Sequence, residues 1–214
     1  MQSATIEKAR PAHEERRVDD SGAMPYRWTV DSFFRAVERG AFDNPERLEL
    51  LDGEVVERMA QGIPHYYSVR AVATRVPVVF AEPCEIRQSG RWTLSDVDYV
   101  EPDVLFAVGT FMDYIDRDPR VDEILLVVEV SDTTLQLDRG RKGAKYARIG
   151  VAEYWIVNVS ERQIEVYRDP APMPESQWGY GYRTVTYHKE SESIRPLTAT
   201  GAGEIRVADL LPGH

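Results

Sequence analysis

The chain has 214 residues, 43% of them hydrophobic and 29% charged, which fits one folded domain with a substantial core. Its 26 Lys and Arg against 36 Asp and Glu leave a formal charge of −10, which argues against a surface gripping nucleic acid everywhere through counterion release, but not against a local site. The sequence holds no apolar run of the ~18 residues that a bilayer span needs, no secretory signal, and one cysteine, Cys84, so the expectation is a cytoplasmic protein without disulfide or membrane partner.

Residues 1–24 mix Glu, Arg, Lys, Ser and Pro and read as a mobile tail. A helix follows, capped by Thr29 or Asp31, with Val30, Phe33, Phe34 and Val37 at helical spacing and Gly40 as its stop. Residues 47–51 and 54–59 flank Asp52 and Gly53, a strong hairpin signal. Pro64 suits the opening of a helix that runs to Val76, where Pro77 ends or kinks it. Residues 85–88 and 91–94 around Ser89 and Gly90 predict a second hairpin.

Residues 103–108 and 124–130 are apolar on both faces, as central strands are. The acidic stretch 113–123 between them lacks the glycine and ligand order of a calcium loop, so it reads as a solvated connection. A helix is expected over 138–149, capped by Asp138 and stopped at Gly150, and strands return at 153–157 and 163–167. Strand, helix, strand at this spacing signals a parallel pair within a mixed sheet. From Asp169 onward, Pro170, Pro172 and Pro174 precede aromatic-rich residues 180–187, an accessory β-ribbon. The expected fold is therefore α/β: a mixed central sheet flanked by helices, with a tail at 1–24, a core at 25–168 and an accessory segment at 169–214 of the same domain.

Three features carry chemistry. Asp103 heads a buried strand, and Glu129 sits inside the apolar run 125–130. An unpaired carboxylate there costs several kcal/mol, so Glu129 must be paired, protonated, at the strand's open end or bound to a cation. The third feature is the basic segment 131–148, where Arg139, Arg141, Lys142, Lys145 and Arg148 oppose Asp132 and Asp138. Two carboxylates on adjacent strand ends can hold Mg²⁺, with Mn²⁺ as a substitute and the carbonyl of Val130 as a further ligand. Such an ion polarises a phosphodiester, and a nearby lysine stabilises the charge that develops.

The strings ELLDGE at 49–54, PDV at 102–104, VEVSDTT at 128–134, DRGRK at 138–142, KYA at 145–147 and GVAEYWIV at 150–157, together with His65, closely resemble the Uma-two family of restriction endonuclease-like proteins, within the PD-(D/E)XK nuclease superfamily. The resemblance covers roughly residues 28–168. It implies that Asp103 and Glu129 are metal ligands in a Mg²⁺-dependent endonuclease acting on DNA. The superfamily's usual lysine lies two residues after the second acid, where this chain has Ser131. The family pattern moves it to Lys142, with Lys145 as the substitute and Glu49 as an added ligand or supporting contact.

Plainer readings stand beside these. Asp138 reads as a helix cap, Tyr146 as packing against the stem of Lys142, and His65 as a structural histidine or an accessory site residue. The alternative function is a nuclease-fold binding protein with weak or no catalysis, for which Ser131 and the acidic balance speak. The same metal chemistry also suits RNA. A homodimer would suit symmetric duplex cleavage.

Overall fold

The computed structural model describes residues 25–59 and 61–213, so the expected tail at 1–24 lies outside the described residues. Helix α1 (Val30–Glu38) opens on a reciprocal cap in which Thr29 and Ser32 satisfy each other's backbone N–H groups. Strands β1 (Leu48–Leu51) and β2 (Glu54–Glu57) form the expected hairpin. Asp52 and Gly53 both take positive φ, 51° and 73°, as the tight right-twisted turn requires. Helix α2 (Ile63–Arg75) begins with Pro64 in its first turn and passes into a 3-10 turn at Val76–Val79 that contains Pro77.

Strand β3 (Cys84–Gln88) and strand β4 (Trp92–Ser95) do not make the hairpin expected around Ser89 and Gly90. Each pairs with a different partner. β4 joins β5 (Asp98–Val100), and β3 joins β6 (Val104–Val108), in two separate sheets. Burial overrides the local turn signal here, because Ile86 packs on the large sheet's core while Trp92 enters the cluster on its other side. The acidic stretch 113–123 is a surface connection with short 3-10 turns, tied down by Arg87 to Asp118 and Arg117 to Glu123.

Strand β7 (Ile124–Ser131) leads into α3 (Leu135–Leu137), a π-helical turn at Asp138–Lys142 and α4 (Gly143–Ile149). The helix thus starts three residues before Asp138. Asp138 is not its cap, because the cap position falls on Thr134 and Asp138 turns inward instead. Gly150 ends the helix at φ 90°, and β8 (Glu153–Asn158) returns parallel to β7. Strands β9 (Gln163–Pro172) and β10 (Tyr180–Lys189) continue the sheet, and β11 (Ser193–Ile194) pairs with β12 (Ile205–Arg206) as a small ribbon.

The large sheet runs β10-β9-β8-β7-β6-β3 and the small one β2-β1-β5-β4. Successive residues of the central strands point to opposite faces. Val104, Phe106, Leu126 and Val128 meet α2 and the C-terminal Val207, Leu210 and Leu211. Leu105, Val127 and Ile156 meet Tyr146 and Ala147 of α4, together with Leu51, Trp92 and Val100 of the small sheet. Phe33 of helix α1 covers that sheet's remaining face, packing with Leu48 and Leu50 of β1 and Tyr99 of β5. The open ends of β6 and β7, with α2 on one side and α3–α4 on the other, leave one cleft between them.

Candidate active site

The cleft is lined by Glu49, His65, Asp103, Glu129, Asp138 and Lys142 among others. Asp103 precedes β6, and its Oδ2 accepts the Val130 backbone N–H at 2.8 Å, which ties the head of β6 to the end of β7. His65 Nε2 lies 3.1 Å from the same oxygen, and Gln61 Nε2 donates to Oδ1 at 3.3 Å. The Asp103 N–H in turn points at Glu129 Oε2 at 3.4 Å. Both acids therefore sit at the open strand ends, held from both neighbouring helices.

On the other side, Lys142 Nζ lies 2.6 Å from Glu129 Oε1 and 3.2 Å from Glu49 Oε1. Tyr146, one helical turn beyond, donates its hydroxyl to Glu129 Oε1 at 2.6 Å while its ring stacks on Trp92. The π-helical turn at Asp138–Lys142 inserts residues into the helix just before α4, so both Lys142 and Asp138 face the cleft. Thr134 Oγ1 donates to Asp138 Oδ2 at 2.5 Å.

Burial sets the electrostatics. It pushes Glu129 well above the usual carboxylate range, reinforced by Asp103, Asp138 and Glu49 and opposed by Lys142. Burial acts the same way on Asp138, whose pKa is raised to about 6 with Asp103 adding to the shift. For Asp103, burial is outweighed by His65, Lys142 and the Val130 N–H, so its pKa falls. Burial alone would depress Lys142, yet the surrounding carboxylates, Glu129 and Glu49 foremost, hold its amine above the ordinary lysine value. Four buried carboxyl groups thus share one lysine, an arrangement short of positive charge.

Among the described residues no three His, Cys, Asp or Glu side chains form a ready-made metal cage. Mg²⁺ does not need one, since it keeps several waters and takes only one or two carboxylates. Glu49 Oε2 is buried without a hydrogen-bond partner, as is His65 Nδ1. An orphaned carboxylate oxygen beside Asp103 and Glu129 is a donor set that fits a hard, water-retaining cation.

A family model described as "Uma2: Putative restriction endonuclease" matches residues 31–207. The chain belongs to the Uma2 family. Among curated proteins none matches. The fold is also that of a crystal structure of a putative nuclease belonging to DUF820 from Anabaena variabilis ATCC 29413, with a TM-score of 0.59 at 16% identity over 87% of this chain and 97% of that one. No helix among the described residues is long and apolar enough to cross a membrane.

Within the Uma2 frame, the structure brings Asp103, Glu129, Lys142, Glu49, His65, Tyr146 and Val130 together. Lys145 stands apart. Its amine pairs with Asp52 and Asp98, at 3.0 Å from the latter, and so locks α4 to the β1–β2 turn. Ser131 is buried with its hydroxyl 3.5 Å from Thr134 Oγ1. Two groups in the cleft escaped the sequence reading. Gln61 touches Asp103 but lies in a loop that no local pattern marks. Asp138 was legible only as a cap, because the π-helical turn that rotates it inward has no sequence signature.

Proposed function

We propose that the cleft hydrolyses phosphodiester bonds, with DNA as the substrate and Mg²⁺ or Mn²⁺ as the cofactor. The observation that carries this reading is the convergence of Glu129 and Glu49 on Lys142, with Asp103 in the same cleft and Glu49 Oε2 left unpartnered. Asp103, Glu129 and the Val130 carbonyl would hold the ion, and Glu49 would support it. When bound, such an ion would polarise the diester and lower the pKa of the water bound to it.

The chain's own groups do the positioning. His65 and the Val130 N–H fix the carboxylate of Asp103, and the Tyr146 hydroxyl fixes that of Glu129. Lys142 brings a permanent positive charge to the place where the phosphorane-like transition state gathers negative charge. Phosphoryl transfer asks for little beyond positioning and charge stabilisation, so this set is sufficient.

Cleavage of plasmid and single-stranded DNA with Mg²⁺ or Mn²⁺, beside EDTA, tests the reading. Asp103→Ala and Glu129→Ala are expected to abolish metal-dependent cutting, a loss on the order of 10³-fold or more for groups acting as a unit. Cutting that persists unchanged in both variants overturns it. A second reading, a nuclease-fold binding protein, draws on Lys142 being engaged by two carboxylates and on Ser131 at the superfamily's lysine position. Calorimetric Mg²⁺ binding that depends on Asp103, with no cleavage of any DNA or RNA form, would select it.

A further inference from the structure

Helix α2 supplies His65 to the cleft from its buried side, and its opposite side is unusual. Ile63, Tyr66, Tyr67 and Arg70 follow helical spacing on the solvent face, with Ile63 86% and Tyr66 67% exposed. Met59, on the cleft wall, is 63% exposed and extends this surface to the site itself. Neither tyrosine hydroxyl nor the Arg70 guanidinium meets a partner among the described residues. A contiguous apolar and aromatic face beside a catalytic cleft marks a binding surface.

Charge narrows the occupant. Residues 58–81 contain no Asp or Glu in a chain whose formal charge is −10, and while Arg58 is paired with Glu101 at 2.6 Å, Arg70 is exposed with its guanidinium unpaired among the described residues. The surface leading to the cleft is thus the place where a polyanion approaches without repulsion from its own element. Geometry narrows it again. A duplex shows sugars and phosphates to such a face, from which Ile63 and Met59 gain nothing. An unpaired strand offers base faces for Tyr66 and Tyr67 to stack on, and phosphates for Arg70.

We propose that the exposed face of α2 is a stacking platform for an unpaired nucleic-acid strand, leading the diester beside it into the cleft. This deepens the phosphodiesterase reading and rests on it for the identity of the cleft's substrate. Tyr66 is the principal stacking residue, Tyr67 and Ile63 flank it, and Arg70 contacts the backbone.

Fluorescence anisotropy of the full chain without metal, using labelled oligothymidylate, oligouridylate and a duplex of equal length, tests the platform. Tyr66→Ala and Arg70→Ala should each weaken strand binding roughly tenfold, and Tyr66→Trp should retain it, because stacking tolerates any aromatic ring. Tyr187→Ala, which removes an exposed tyrosine from edge strand β10, serves as the surface control. Binding of the thymidylate or of the uridylate more tightly than of the duplex supports the platform. Equal affinity for duplex and strand, or strand binding indifferent to Tyr66, overturns it. A dimer in sedimentation that Tyr66→Ala dissociates also overturns it by giving the face to a second copy of the chain. Cleavage of DNA and RNA by the wild-type chain with Mg²⁺ or Mn²⁺ reads the diester chemistry separately. If that is absent while Tyr66-dependent strand binding is present, the catalytic reading fails and the platform stands.

Discussion

At an ordinary helix surface an aspartate loses its proton near pH 3.8, but Asp138, 3% exposed and among other carboxylates, holds its proton up to about pH 6. Between these two values the folded chain binds the proton more tightly than the unfolded chain does. Stability contributed by this group is therefore fully present below about pH 3.8 and is lost as pH rises through 6. Asp138→Asn keeps an acceptor for Thr134 and removes the ionisation. In EDTA, the variant and wild type should unfold at the same temperature near pH 3.5. By pH 8 the variant should be more stable by on the order of 2–3 kcal/mol. A gap in melting temperature that stays constant from pH 4 to 8 would refute the buried, proton-holding aspartate. Above about pH 6 the Asp138 carboxylate adds to the negative charge that Asp103 and Glu129 bring to the cleft.

At the scale of elements, the helix from Leu135 to Ile149 decides whether the site exists, and its π-helical turn is the critical part. Gly143 follows that turn, and a Cβ there would stand 3.1 Å from the Asp138 carbonyl oxygen and 3.5 Å from the Tyr154 ring. That carbonyl cannot retreat freely, because the Tyr154 hydroxyl donates to it at 3.1 Å. Gly143→Ala should therefore cost about 1–3 kcal/mol by overpacking, despite alanine's better helix propensity. It should also lower cleavage more than stability by shifting Lys142. Thermal unfolding beside a cleavage assay checks both, and a stabilised, fully active variant would show that the turn relaxes.

The same elements show what the sequence makes legible. Asp103 and Glu129 stand out because a carboxylate in an apolar strand demands a reason. The parallel β7–β8 pair follows from the strand, helix, strand period. The π-helical turn does not follow, since residues 138–149 fit a regular helix equally well and only burial of both Asp138 and Lys142 selects the wider turn. Ser89 and Gly90 mislead for a related reason. Their local turn chemistry is genuine, Ser89 having φ 48°, but two different cores claim Ile86 and Trp92.

On the scale of the whole molecule, the end of the chain reaches back to the site through the core. After β10 leaves the sheet's edge, the chain returns so that Val207, Leu210 and Leu211 pack with Val69 and Val72 of α2 and Val76 of the 3-10 turn that follows it. Glu153, buried in β8, holds this return in place by accepting from Arg168 at 2.7 Å and from the Leu197 N–H. Residues from 169 onward are thus accessory in sequence order but share the main core. Helix α2 has the C-terminal segment against its buried side, His65 at its cleft end and the tyrosines on its outer face, so its placement links all three. Leu210 is fully buried, and Leu210→Ala removes three carbons from this contact. The loss should be about 2–4 kcal/mol, a fall in Tm of roughly 4–16 °C for a chain of this size. Leu197→Ala, at a position 57% exposed, should change Tm little and serves as the control. If α2 is seated by this contact, Leu210→Ala should also reduce cleavage at temperatures well below its Tm, because Asp103 loses a firmly placed His65. A Leu210→Ala chain that melts like wild type would mean that α2 is held by the sheet alone; one that melts early yet cleaves normally when folded would confine the C-terminal segment to stability.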